Sequence, residues 1–282
     1  MRRESVLRYA AFTETPDGGN PAGVWIGDEL PTADEMQRVA AEVGYSETAF
    51  LAPGAGDRWT VRYFSPLAEV PFCGHATIAS GVVLGERLGP GTFDLDTQVG
   101  AVPVAVGAAG EGRLVATLTS VEPSWRPVDR PLQLEALERI GWHEDDLETT
   151  LPPALAFAGA WHLVFAVRER RVLAELDYDF DGLKRLMLDR ELTTLQLIWR
   201  RDEATFHARN PFPVGGVVED PATGAAAAAL GGYLRARGLI EAPAEITIYQ
   251  GYDMGRPSTL RVRIPVAGGI DVSGTAVEIE TP

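Results

Sequence analysis

Cysteine and histidine are scarce in this sequence. The single cysteine, Cys73, excludes an intramolecular disulfide, and the four histidines are spread along the chain without the spacing of a metal site. We therefore expect a protein of a reducing compartment that holds no metal.

Positive charge is also in short supply. There are 25 Lys and Arg residues against 40 Asp and Glu residues, which gives a formal net charge of −15. Nucleic acids and anionic membrane surfaces both attract clustered basic residues, so this balance argues against both partners. The 45% hydrophobic and 23% charged residues are typical of a globular protein.

Long apolar runs are missing. The longest candidate, residues 151–167, is interrupted by two prolines and His162, and Arg8 interrupts the apolar start of the chain. We expect no membrane span, no signal peptide and a cytoplasmic location.

Common catalytic motifs are missing as well. The sequence contains no P-loop, no dinucleotide-binding glycine pattern, no HExxH, no CxxC and no GxSxG. Nucleotide, metal and serine-hydrolase chemistry thereby lose their main sequence support.

Short strand-like segments alternate with helices along the chain. Thr32 and Glu35 form a capping-box pattern for a helix that ends before Gly44, and further helices are predicted at residues 75–88 and 222–238. Hairpin-linked strands followed by helices favour an α+β fold over a doubly wound parallel sheet. The segment 122–127, with two prolines, is the predicted boundary between lobes at residues 1–125 and 126–264.

An internal repeat indicates that the two lobes are similar. An offset of 150 residues aligns Gly74 with Gly224, Gly81 with Gly231, and Glu69 with Glu219. The helix predicted at residues 222–238 contains five consecutive alanines, 225–229, and has no polar face in its first half. It is therefore predicted to be buried on all sides. We therefore expect a curved sheet wrapped around a central helix in each lobe.

The first candidate site residue is Glu47, between a helix end and an apolar strand. A carboxylate enclosed by apolar residues suits proton transfer near neutral pH. The alternative is a solvated glutamate at a strand edge.

The second candidate group is Cys73, Gly74 and His75 at the start of a helix. Backbone N–H groups at a helix N-terminus bind anions, and His75 at the N-cap or first helical position would serve as a neutral donor. The alternative is a buried hydrogen-bonding histidine beside a small apolar cysteine.

The third candidate group is Asp220, Thr223 and Gly224 at the start of the repeated helix. The hydroxyl and the backbone amides could form a second anion site. The alternative is that Asp220 is a helix N-cap followed by Pro221 in the first helical position.

Six segments together carry a family resemblance. They are residues 18–23 (GGNPAG), 45–50 (YSETAF), 62–66 (RYFSP), 69–77 (EVPFCGHAT), 219–224 (EDPATG) and 250–258 (QGYDMGRPS). In this order they resemble the PhzF-like proteins, named for the phenazine-biosynthesis isomerase, which share the diaminopimelate epimerase fold.

The resemblance implies two similar lobes, each a curved, mostly antiparallel sheet around a central helix, with the active site in the cleft between them. It also implies a homodimer without a cofactor, and a last strand, 265–282, that returns to the first lobe. In the characterised isomerase a glutamate moves a proton within trans-2,3-dihydro-3-hydroxyanthranilate, assisted by a histidine and an aspartate. The matching residues are Glu47, His75 and Asp220.

Two features qualify the substrate and the chemistry. The family often has serine after the EDPATG segment, where this chain has Ala225, so a substrate-contacting hydroxyl is missing. Epimerases that use a pair of thiols need two cysteines, and only Cys73 is present.

The sequence therefore predicts an isomerase that moves a proton within a small anionic, cyclic or unsaturated carboxylate. The alternatives are a non-catalytic protein that binds small carboxylates or acts as a scaffold, and an epimerase with one carboxylate base. Catalytic roles are expected for Glu47, His75 and Asp220. Contacts with the substrate are expected for Ser46, Cys73, Gly74, Thr223, Gly224 and Ala225.

Overall fold

The computed structural model describes residues 6–110 and 112–280 and divides the chain into two compact units. The first unit consists of the chain up to Thr119 together with the residues from Ser273 onward, and the second runs from Ser120 to Val272. The division thus falls six residues before the sequence-based boundary, and the chain returns to the first unit at Ser273, where sequence analysis places the return at residue 265. The outer ends of the predicted first lobe, residues 1–5 and 281–282, lie outside the described residues.

The first unit contains nine strands and the α-helices Ala33–Val43 and Gly74–Leu88 within the described residues. In chain order its elements are β1 (Leu7–Ala11), β2 (Asn20–Ile26), α1 (Ala33–Val43), β3 (Glu47–Pro53), β4 (Trp59–Phe64), β5 (Glu69–Val70), α2 (Gly74–Leu88), β6 (Gly91–Thr97), β7 (Gly100–Gly110), β8 (Arg113–Thr119) and β16 (Asp271–Glu278), the last from Ser273 onward.

The sheet of the first unit closes on itself. Its strand order is β1-β2-β3-β4-β6-β7-β8-β16, and β16 also pairs with β1 in antiparallel register, Tyr9 opposite Glu278. The β2–β3 and β4–β6 pairs are parallel, whereas the pairs β1–β2, β3–β4, β6–β7 and β7–β8 are antiparallel. Within the described residues, closure gives each strand in this order a neighbour on both sides, an arrangement that protects strands from pairing with other chains.

Helix α2 is the central helix of this unit. It contacts β1, β2, β3, β6, β7 and β8, and every residue from His75 to Gly85 is buried. Gly81 allows this close packing, because a Cβ atom there would lie 2.7 Å from Cγ1 of Val104. A helix surrounded in this way must be apolar or small on every face, as its sequence predicts.

Helix α1 packs on the outside of the same sheet. Thr32 and Glu35 form the predicted capping box, and Gly44 ends the helix in the left-handed conformation. The apolar face of α1, with Met36 and Val39, packs against Phe50 of β3. The capping and the end of this helix were therefore predicted correctly.

The second unit follows the same plan. Its elements are β9 (Ser124–Pro127), α3 (Arg130–Arg139), β10 (Ala154–Phe157), β11 (Trp161–Val167), α4 (Arg170–Ala174), α5 (Phe180–Asp189), β12 (Thr194–Arg200), β13 (Thr205–Arg209), α6 (Gly224–Ala236), β14 (Ala244–Gln250) and β15 (Ser258–Ile264).

The sheet of the second unit runs in the order β9 to β15 and lies between α6 on one face and α3 and α5 on the other. Helix α6 contacts β9, β10, β11, β12 and β15, and Gly231 lies against this sheet as Gly81 does in the first unit. The second unit has two parallel pairs, β11–β12 and β13–β14, as the first unit also has two. The predicted α+β class, with similar lobes and mostly antiparallel sheets around central helices, is confirmed.

The predicted interlobe segment contains a strand that sequence analysis missed. Residues 124–127 form β9, which pairs with β10 in antiparallel register and stands at the end of the strand order. Proline is tolerated at such an edge because no neighbouring strand needs its missing N–H group.

None of the helices within the described residues has the length and hydrophobicity that a membrane crossing requires.

Candidate active site

Glu47 lies in a cluster with Cys73 and His75 in the first unit. Oε2 of Glu47 is 3.5 Å from Nε2 of His75 and accepts a 3.5 Å hydrogen bond from the Cys73 thiol. The Cys73 sulfur is also 3.3 Å from Nδ1 of His75. A carboxylate, a thiol and an imidazole are thus within mutual contact, a set of groups that can accept, hold and return a proton.

The cluster is mostly enclosed. The Glu47 side chain is 17% exposed and that of His75 is 7% exposed. Glu47 is the first residue of β3 and pairs with Ala22 of β2, and the pairing of β3 with β4 begins at the next residue, Thr48. The geometry therefore argues against a solvated strand-edge glutamate.

The start of α2 places Cys73 and His75 beside Glu47. Cys73 is the N-cap residue, in an extended conformation, and its side chain forms no capping hydrogen bond. The helix begins at Gly74, so His75 is its second residue and not the N-cap or first residue as predicted. Glycine, which has no side chain to pack, occupies the first helical position, and the space around it is open.

Ser46 joins the same cluster. Its hydroxyl oxygen is 3.4 Å from Nε2 of His75. The site residues predicted in the first unit, which are Ser46, Glu47, Cys73, Gly74 and His75, therefore lie together.

The cluster also has the donor atoms of a metal site. One ligand atom from each of Glu47, Cys73 and His75 can be chosen so that all three lie within 4.8 Å of one another. Carboxylate, thiolate and imidazole are the ligands that zinc takes in proteins. Sequence spacing did not predict this set, because its members come from two separate segments of the chain.

A second cluster forms around Asp220 in the second unit. The Thr223 hydroxyl donates a 2.6 Å hydrogen bond to Oδ2 of Asp220. Helix α6 begins at Gly224 with Thr223 as N-cap, so Asp220 lies three residues too early to be the N-cap. The capping alternative for Asp220 is therefore wrong, because Thr223 occupies that position and directs its hydroxyl to Asp220.

Gly224 and Ala225 are the first and second residues of α6. Both are partly accessible, whereas the residues from Ala226 to Leu234 are buried. The site residues predicted in the second unit thus lie together around the start of α6.

Gln250 was given no individual role from the sequence, although it opens one of the six matching segments. It is buried at the end of β14, and its side-chain amide donates to the main-chain oxygen of Asp220 at 2.7 Å. The signals in the sequence were its place at the head of segment 250–258 and its position directly before a glycine at a strand end.

A comparison with protein families identifies the chain. The family model of phenazine biosynthesis-like proteins, PhzC-PhzF, matches residues 9–281. The chain belongs to this family. The resemblance inferred from the six segments is confirmed.

Individual relatives agree with this assignment. The uncharacterized isomerase YfhB of Bacillus subtilis (strain 168) is 32% identical over 293 residues, covering 100% of this chain and 98% of YfhB. The trans-2,3-dihydro-3-hydroxyanthranilate isomerase of Pseudomonas fluorescens is 30% identical over 273 residues, covering 95% of this chain and 94% of the relative. The crystal structure of a PhzF-family phenazine biosynthesis protein of Bacillus anthracis superposes with a TM-score of 0.85 at 27% identity, covering 98% and 96% of the two chains. This PhzC-PhzF family member is an isomerase of the PhzF type.

Proposed function

We propose that this chain is a cofactor-independent isomerase in which Glu47 moves a proton within a small anionic, cyclic, unsaturated carboxylate. The observation that carries the proposal is the enclosure of the Glu47 carboxylate beside Cys73 and His75. The activity of the 30% identical Pseudomonas fluorescens relative supports this substrate class.

The proposed reaction is a proton shift. The Glu47 carboxylate takes a proton from one carbon, the electron pair moves through the adjacent double bond, and the proton returns to the carbon at its far end. Nothing is oxidised or reduced. General acid–base catalysis of this kind typically contributes about 10²–10⁴-fold, and positioning of the substrate supplies the rest.

Other residues orient and polarise the substrate in this proposal. His75 donates a hydrogen bond and backbone amides at the start of α2 hold the carboxylate, and Asp220 takes its orienting role from the match to the family's aspartate. The N-cap side chain of α2, that of Cys73, forms no capping hydrogen bond, and the first-turn N–H groups of a helix are the groups that anions bind.

The experiment is turnover of trans-2,3-dihydro-3-hydroxyanthranilate in D2O, followed by proton NMR. The wild type should produce the isomer with deuterium incorporated, and Glu47→Gln should lose at least about 10²-fold in rate. The control is Glu42→Gln, which removes an exposed carboxylate on α1 that pairs with Arg38. Undiminished exchange in Glu47→Gln would refute the role of Glu47.

Ala225 favours a second candidate function, a protein that binds small carboxylates without reaction. The family often has a serine hydroxyl at this position, and alanine lacks it. A thermal-shift screen of small carboxylates, with proton-exchange NMR on each hit, separates the two functions. Stabilisation by ligands that never exchange a proton would support the binding protein.

A further inference from the structure

Gln250 uses its whole side-chain amide on the Asp220 cluster. Nε2 donates to the main-chain oxygen of Asp220 at 2.7 Å and to the Thr223 hydroxyl oxygen at 3.0 Å. Oε1 accepts from the backbone N–H of Thr223 at 3.3 Å. The side chain is 1% exposed, so these partners replace water.

These partners fix which end of the amide is which. A backbone N–H can only donate and a carbonyl oxygen can only accept, so Oε1 must face Thr223 N and Nε2 must face Asp220 O. The other partner of Nε2, the Thr223 hydroxyl oxygen, must therefore act as an acceptor from Gln250.

The direction of the next hydrogen bond follows. Because the Thr223 oxygen accepts from Gln250, its own hydrogen is directed to the remaining partner, Oδ2 of Asp220, at 2.6 Å. The result is a one-way chain of hydrogen bonds from the Gln250 amide through the Thr223 hydroxyl to the Asp220 carboxylate. Hydrogen bonds to an ionised acceptor are the stronger kind and hold it in one orientation.

The residue after Gln250 brings its loop against the Asp220 segment. Gly251 has φ +76°, and a Cβ atom there would lie 2.2 Å from the Arg256 carbonyl oxygen and 2.9 Å from that of Pro221. Only glycine allows this approach. This approach places the start of segment 250–258 against segment 219–224.

We propose that Gln250 is a positioning residue that sets the orientation of the Asp220 carboxylate through Thr223. The expected loss of kcat/KM rests on the proposed function. The hydrogen bonds from Gln250 through Thr223 to Asp220 involve the second unit alone. The Thr223 hydroxyl accordingly serves Asp220, and it does not donate to the substrate.

The test is a double-mutant cycle of Gln250→Glu and Thr223→Val. A glutamate at position 250 cannot donate to Thr223, so the hydroxyl turns toward it and Asp220 loses its donor. Each single variant should lower kcat/KM for trans-2,3-dihydro-3-hydroxyanthranilate by about 10- to 100-fold, as misplaced groups do in active sites. The double variant should lose little more than Gln250→Glu alone, because that substitution already removes the Thr223–Asp220 hydrogen bond together with the bond to the Asp220 main-chain oxygen.

Thr223→Ser should recover activity to within a few-fold, since it keeps the hydroxyl. Gln37→Glu is the matched control, because Gln37 also donates to a main-chain oxygen, that of Ser65, in the first unit. Its kcat/KM should equal that of the wild type. Multiplicative losses in the double variant would overturn the proposal.

A crystal structure of Gln250→Glu provides a readout that does not depend on turnover. The Thr223 hydroxyl oxygen should move beyond hydrogen-bond distance of Oδ2 of Asp220, and an unchanged distance would overturn the proposal. Thr223→Val and Thr223→Ser test the same link if Gln250→Glu does not fold. If the wild type fails to turn over the substrate, the proposed function fails while this structural test still decides the role of Gln250.

Discussion

Arg209 holds the Glu219 carboxylate with two nitrogens, through Nη2 at 2.6 Å and Nε at 3.1 Å from Oε2. The pair joins the end of β13 to the segment before α6. Arg62 and Glu69 form the equivalent pair before α2, with both Arg62 nitrogens 2.6 Å from Glu69 oxygens. Each central helix is thus preceded by a segment that a forked arginine–carboxylate contact holds to a neighbouring strand.

The two ion pairs should differ in their contribution to stability. The side chains of Arg209 and Glu219 are 11% and 4% exposed, against 31% and 24% for Arg62 and Glu69. Arg209→Ala leaves a buried carboxylate unpaired and should lower the free energy of unfolding by about 3–5 kcal/mol. Arg62→Ala should cost about 1 kcal/mol, as solvent-accessible pairs do.

Urea denaturation of both variants checks this prediction. Arg209 also donates to the main-chain oxygen of Ala174 at the end of α4, which adds to its loss. Equal destabilisation by the two substitutions would contradict the argument from burial.

His162 should make the protein sensitive to acid. Burial lowers the pKa of this side chain to about 3, and its Nδ1 shares a 2.8 Å hydrogen bond with the Thr194 hydroxyl. Between the ordinary pKa of about 6.5 and this value, the unfolded chain binds a proton at His162 that the folded chain does not. The free energy of unfolding therefore falls as the pH is lowered through this window, by about 2 kcal/mol at pH 5.

The measurement is the free energy of unfolding at pH 7 and pH 5. His162→Gln should reduce the difference between the two values by about 2 kcal/mol relative to the wild type. His143→Gln is the control, because the His143 side chain is 87% exposed. A His162→Gln protein that is as acid-sensitive as the wild type would show that His162 does not carry this dependence.

Added Zn²⁺ should bind to the Glu47 cluster, although the proposed reaction uses no metal. Cys73→Ala removes the sulfur ligand and should weaken Zn²⁺ binding by about tenfold or more, since thiolate is a preferred zinc ligand. Titration calorimetry measures the two affinities. His143→Ala, which removes an exposed imidazole next to Asp146, should leave the affinity unchanged. Identical affinities for wild type and Cys73→Ala would exclude the cluster as the binding site.

The local sequence determined much of the secondary structure. Thr32, Glu35 and Gly44 set the start and end of α1 through contacts within a few residues, so they could be predicted. Gly74 and Gly224, which the 150-residue offset aligns, likewise marked the starts of both central helices. The small, apolar composition of α2 and α6 required that a sheet surround them.

The tertiary structure alone decided how the candidate site residues meet. Glu47 contacts Cys73 from 26 positions away, and Gln250 contacts Asp220 from 30 positions away, because strand order brings their segments together. Sequence patterns report neighbours within a turn of helix or along one strand, whereas side-chain contacts across a sheet depend on register. For that reason the motifs identified the residues, and the fold determined which hydrogen bonds each of them makes.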